Sequence, residues 1–121
     1  MILTMILKKS SNLSNVVTAG LDTAGFRIPE HNVPLKLCEL TKGAIVGTSA
    51  NKSGNPPATN IEEAITRLSD SPVDLFLDGG PSGSYYPSTI IDCSNNSPSV
   101  IRAGVIKERD LFRTLENRGV D

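Results

Sequence analysis

A chain of 121 residues, 38% of them apolar, holds enough material for one ordinary domain over residues 1–121 and excludes a second complete one. Its 12 basic and 13 acidic residues nearly cancel. That balance excludes the overall electrostatic footprint of a dedicated nucleic-acid binder and makes any phosphate binding local.

The opening apolar run, Met1 to Leu7, has no basic segment before it and no small-residue cleavage site, and it is too short to span a bilayer. It predicts a strand, Ile2 to Lys8, in a cytoplasmic protein without membrane attachment. A core strand at the first residue has nothing before it to pair or cover it, as in one half of a larger fold. A second strand is expected around Phe26 to Ile28. Val33, Leu37 and Leu40 recur at i, i+4, i+7 and predict a helix that Asn32 caps and Gly43 ends.

A strand over Ala44 to Thr48 should follow, then a polar turn, Gly47 to Thr59. Ile61, Ala64, Ile65 and Leu68 predict a further helix, with Thr59 or Asn60 as its cap and Glu62 or Glu63 completing a capping box. Strands are expected at Val73 to Leu77, Thr89 to Asp92 and Val100 to Arg102. The loops Gly79 to Ser84 and Ser94 to Pro98 separate them, and a last helix, Lys107 to Asn117, presents Leu111, Phe112 and Leu115. This is an α/β pattern. Cys38 and Cys93 are far apart and lack any paired Cys/His spacing, so reduced structural thiols are expected rather than zinc or disulfides.

Segment 47–59 puts hydroxyls, an amide and backbone N–H groups between a strand end and a helix start, where α/β proteins bind anions. Local physics leaves two readings open: a phosphate or carboxylate site, or a capped turn with surface Ser and Asn.

Four blocks in order bear on that choice. Arg27-Ile28-Pro29-Glu30-His31 comes first, then Thr48-Ser49-Ala50-Asn51-Lys52-Ser53-Gly54, Pro87-Ser88-Thr89-Ile90-Ile91-Asp92 and Ile101-Arg102-Ala103-Gly104. The ordered set, with Leu3-Thr4-Met5-Ile6-Leu7 ahead of it, resembles the C-terminal part of the YrdC-like domain of threonylcarbamoyl-AMP synthases. The resemblance covers nearly the whole chain and implies a twisted, mixed parallel/antiparallel sheet with flanking helices, truncated at the N-terminus. It implies a nucleotidyltransferase that makes an adenylate from ATP, L-threonine and bicarbonate, with Mg²⁺ as the expected metal. A partner enzyme then moves the threonylcarbamoyl group to tRNA. By motif position, Arg27, Ser49 and Ser88 would contact threonine, and Thr4, Asn51, Thr59 and Arg102 the nucleotide. Arg27 can fork onto a carboxylate and Arg102 can screen phosphate charge.

Each residue also has a plainer role. Arg27 could pair with Glu30, Ser88 could end a strand, Thr59 could be only a helix cap, and Arg102 could be an exposed strand residue. His31 is expected at a helix entry, facing solvent and without catalysis, and Tyr85 and Tyr86 in a Gly/Ser/Pro loop, where they either cover a ligand or shield the loop's base. Two departures matter. The family's Lys-x-Arg pair lies in an N-terminal half with no counterpart here; Lys107-Glu108-Arg109 matches it only as text, after every other block, and reads as a solvated helix face. Ala103 stands where the family often has proline. Without phosphate-gripping cations the chain alone is expected to be a poor enzyme. It would then need a complementing N-terminal half, or it would serve as a non-catalytic module that binds nucleotide, double-stranded RNA or a partner protein, or pair as a homodimer. For RNA binding, Lys8, Lys9, Arg27 and Arg102 are expected to converge into one basic patch.

Overall fold

The first apolar run pairs along both of its edges. In the computed structural model, which describes residues 3–81 and 87–116, β1 (Leu3–Lys8) lies antiparallel to β2 (Thr23–Arg27) and parallel to β3 (Thr89–Asp92). β4 (Ser99–Arg102) adds antiparallel to β3, giving the order β2-β1-β3-β4. The expected mixed sheet is therefore present. Two compact units emerge: Met1–Lys36 with Tyr86–Asp121, which carries the sheet, and Leu37–Tyr85.

β3 is the best-buried strand. Ile91 is 2% exposed and Thr89 fully buried, and Ser88, just before the strand, is 7% exposed. Both edges of β3 are paired, and its Ile-Ile run suits a pleated surface covered on its sides. The β3–β4 ladder shifts register between Ile90 and Ile91: Ile90 faces Arg102 while Ile91 faces Val100, leaving Ile101 as the extra residue of a bulge. β2 begins three residues before the expected Phe26 and ends at Arg27. Pro29, lacking an N–H, follows closely and cannot extend the ladder.

The helices mostly fall where periodicity puts them. α1 (Asn15–Thr18) is a single turn too short to show a period; Ser14 caps it by accepting from Val16 N, and Ala19 ends it at φ 51°. α2 (Asn32–Leu40) starts at Asn32, so Asn32 is its first residue and not its cap. The capping acceptor is His31 Nδ1, which takes Val33 N at 3.1 Å. At the other end Gly43 N donates to Cys38 O at 3.0 Å, and the left-handed residue is Lys42, φ 55°, one place before the expected glycine. The residues of α2 divide between the two units.

In the second unit the capping box is resolved. Asn60 caps α3 (Ile61–Arg67), its side chain accepting from Glu63 N at 2.8 Å, and Glu63 Oε2 reaches back to Thr59 N at 3.1 Å. The strands expected at 44–48 and 73–77 are absent from the sheet, because neither segment has a ladder partner among the described residues. Val46 is 77% and Leu75 70% exposed. α4 (Glu108–Glu116) closes the described chain. Tyr85 and Tyr86 lie outside the described residues. No helix among the described residues is long and apolar enough to cross a membrane.

Truncating Ile91 should leave a cavity in β3, the strand paired on both edges. Ile91→Ala is expected to cost roughly 2–5 kcal/mol in urea unfolding, against under about 1 kcal/mol for the exposed Ile101→Ala.

Candidate ligand-binding site

Sheet register aligns three of the candidate residues. On β1, Thr4 stands opposite Arg27 of β2 and beside Ile90 of β3, which in turn faces Arg102 of β4. Side chains in such a row share one face, so Arg27, Thr4 and Arg102 lie across the same side of the sheet. Ser88 joins them through hydrogen bonds. Its Oγ lies 3.1 Å from Thr4 Oγ1, and Arg102 Nη2 donates to it at 2.9 Å. Arg102 also grips the Ser88 carbonyl, with Nε at 3.1 Å and Nη2 at 2.9 Å.

Arg102 is exposed at its strand edge, yet it is more than a surface residue. It spends its Nε and Nη2 edge on Ser88, and Nη1 has no hydrogen bond among the described residues. At the other end of the row no carboxylate among the described residues pairs with the exposed Arg27. Two guanidinium groups thus flank a pair of hydroxyls that can each donate or accept.

The other three candidates belong to the second unit, where a tied loop carries them. Ala58 N donates to Ala50 O at 3.0 Å and closes the loop, and Asn55 N turns back to Lys52 O at 3.0 Å. Gly54 takes φ 84°, a conformation in which a side chain would be strained. Asn51 staples the interior: its Nδ2 donates to Lys52 O at 3.0 Å and to Asn55 O at 2.8 Å. Its Oδ1 is buried without a hydrogen-bond partner among the described residues. Ser49 is exposed, and Thr59 donates its hydroxyl to Glu63 Oε2 at 3.4 Å. Thr59 and Asn60 line a shallow cavity of about 190 Å³ with Ala50, Ala58, Asp78 and Gly80.

Sequence reading passed over the residues that anchor this loop. Arg67 Nη1 donates to the carbonyls of Pro56 at 2.7 Å and Pro57 at 3.0 Å while its Nη2 lies 3.2 Å from Glu63. Lys52 bonds to Asp70. The available signal was the Glu63–Arg67 spacing of one helical turn.

Lys8 and Arg27, two of the four basic residues that an RNA patch would bring together, stand apart. Lys8 faces Thr23 at one end of the β1–β2 ladder, while Arg27 faces Thr4 at the other. Four residues of strand separate them, roughly 13 Å. The lysines instead border a separate open cavity of about 500 Å³ with Ser10, Asp22, Thr23 and Ser94. In the Lys107-Glu108-Arg109 run, Arg109 is largely exposed and lies 3.4 Å from Asp110, as a solvated helix face requires.

The family model Sua5_yciO_yrdC, described as telomere recombination, matches residues 2–104. The chain belongs to the Sua5/YciO/YrdC family. Its relatives include threonylcarbamoyl-AMP synthases of Pyrococcus abyssi, 36% identical over 93% of this chain and 33% of the relative, and of Bacillus subtilis, 37% identical over 98% and 34%. Among solved structures, P. abyssi Sua5 complexed with L-threonine matches with TM-score 0.83 and 33% identity, covering 93% of this chain and 33% of the other. E. coli YciO matches with TM-score 0.73 and 30% identity, covering 87% and 51%. This family member spans about a third of the length of the two synthases.

The Lys52–Asp70 tie makes the loop sensitive to acid. The hydrogen bond from Lys52, then a backbone hydrogen bond and the Lys52 charge, hold the Asp70 carboxyl below its usual range. A carboxyl lowered in the folded state contributes stability above its ordinary pKa and loses it as pH falls through the lowered value. Asp70→Asn should therefore speed amide exchange at Asn55 and Ala58 by no more than about fivefold, as expected of an exposed pair. Acid should reproduce the effect in the parent chain but not in the variant, as followed by NMR.

Proposed function

We propose that this chain carries part of the ligand site of an L-threonylcarbamoyladenylate synthase, which joins L-threonine, bicarbonate and ATP and releases diphosphate. The observation that carries the reading is the Ser88 hydroxyl, held between Thr4 and Arg102 on a sheet row that ends at Arg27. Membership of a family whose relatives are named threonylcarbamoyl-AMP synthases, one Sua5 having been solved with L-threonine, supports it.

The chemistry follows from the groups. Arg27 is free to fork onto the amino-acid carboxylate, a charge-assisted pair stronger than neutral hydrogen bonds. The Ser88 oxygen already accepts from Arg102, so its proton can turn toward Thr4 or toward ligand. Arg102 Nη1 suits a phosphate oxygen, and Thr4 a further hydrogen bond to the nucleotide. In the second unit Ser49 offers an exposed hydroxyl to threonine. Asn51 retains an unspent acceptor for an N–H or O–H of the nucleotide, and Thr59 borders the cavity beside it.

Adenylate formation requires an attacking oxygen in line with the departing diphosphate and neutralisation of the charge that builds, more than a dedicated acid–base pair. No group of three His, Cys, Asp or Glu side chains suited to a metal converges among the described residues. The residues here would not cage Mg²⁺ by themselves, so it would enter as MgATP, held chiefly by the phosphates. We place this chemistry in the cytoplasm, with tRNA as the final acceptor of the threonylcarbamoyl group through a partner enzyme.

Calorimetric titration tests the assignment. L-Threonine should bind the folded chain at millimolar or lower concentration, and Arg27→Ala should weaken it by roughly ten- to a hundredfold, the worth of a charged hydrogen-bonded pair. Absence of binding by the folded parent chain, or an unchanged affinity in Arg27→Ala, would sink it.

A further inference from the structure

The segment leaving β4 grips the peptide around Ser88 at three alternate residues. Arg102 forks onto the Ser88 carbonyl through Nε and Nη2. Two residues on, Gly104 lies so close that a Cβ there would sit 2.4 Å from Pro87 O, 2.4 Å from Thr89 N and 2.5 Å from Ser88 C. Real Cβ atoms essentially never approach backbone so closely, so any side chain at 104 must push residues 87–89 away. Two residues further, Ile106 offers both backbone groups to one hydroxyl. Thr89 Oγ1 donates to Ile106 O at 2.9 Å and accepts from Ile106 N at 3.0 Å.

Thr89 is fully buried. Strand alternation turns it to the sheet face opposite that of Ser88, Thr4 and Arg102. Gly104 has no side chain. Neither can offer a side-chain group to a ligand on the Ser88 face, yet both fix the backbone from which the Ser88 hydroxyl projects.

We propose that Thr89 and Gly104 are positioning residues that set the Ser88 hydroxyl for threonine, acting through the 102-104-106 clamp. The proposal rests on the assignment of Ser88 to threonine. It gives the last block of the sequence two jobs: Arg102 toward ligand and Ser88, and Gly104 toward Ser88 alone. Ala103 takes no part in the clamp. That residue lies between gripping positions and is exposed.

The test combines a ligand-free reporter with a double-mutant cycle on the full chain. The Arg102 Nε–H proton, bonded to Ser88 O, reports the clamp by its NMR shift and exchange with water. Thr89→Val keeps the shape but removes both bonds to Ile106, and Thr89→Ser restores the hydroxyl; Gly104→Ala attacks the clamp independently. Thr89→Val and Gly104→Ala should deprotect Arg102 Nε–H and weaken L-threonine binding about tenfold, with Thr89→Ser within about twofold of the parent. In a Ser88→Ala background, Thr89→Val should add less than about twofold, because the group it positions is gone.

Unchanged Arg102 Nε–H in both clamp variants would overturn the clamp. The same tenfold loss with and without Ser88 would reduce Thr89 to a general structural role and overturn the positioning claim. If Ser88→Ala binds threonine like the parent while Nε–H still responds, the assignment of Ser88 is what fails, and the proposal falls with it for that separate reason. Should Gly104→Ala not fold, the Thr89 pair decides alone.

Discussion

The first unit depends on β3 being held along both edges. Parallel pairing with β1 brings Thr4 beside Ile90, and antiparallel pairing with β4 brings Arg102 to its other side. Ser88, at the entry to this strand, is thereby fixed between two elements far from it in sequence. A one-residue slip of β3 would send Thr89 to the face of Thr4 and Arg102 and Ser88 to the opposite one. The bulge at Ile101 belongs to the same constraint, since it resets the β4 register so that Arg102 faces Ile90 and reaches Ser88.

The arrangement uses few ionisable groups, and those it uses are arginines. A guanidinium offers donors in a rigid fork, so Arg102 can satisfy a buried carbonyl and a hydroxyl and still present an unused edge. Lysine carries its three donors on one nitrogen and lacks this planar fork. Hydroxyls of Thr4 and Ser88 complete the row, each able to donate or accept.

The second unit solves a different problem, holding a polar loop without a sheet to hang it on. It does so with a staple inside the loop, Asn51, and ties from outside by Arg67 and Asp70. The staple leaves Asn51 Oδ1 buried without a donor. Such an orphan acceptor costs about 1–3 kcal/mol.

The amino-acid sequence by itself determined what depends on neighbours a few residues away. The span of α2, the cap and box around Asn60 and Glu63, and the strand Thr89–Asp92 were legible from side-chain period and capping chemistry. So was the family, through the ordered blocks that carry the resemblance. Tertiary structure decided what depends on a distant partner. Segments 44–48 and 73–77 have strand-like composition yet form no strand, because a ladder needs a second chain segment and they have none among the described residues. Arg102 reads as an exposed residue until register sets it 14 positions back on Ser88. The separation of Lys8 from Arg27, and the packing of Gly104 on Ser88, likewise follow from register and close approach across strands, which no local pattern encodes.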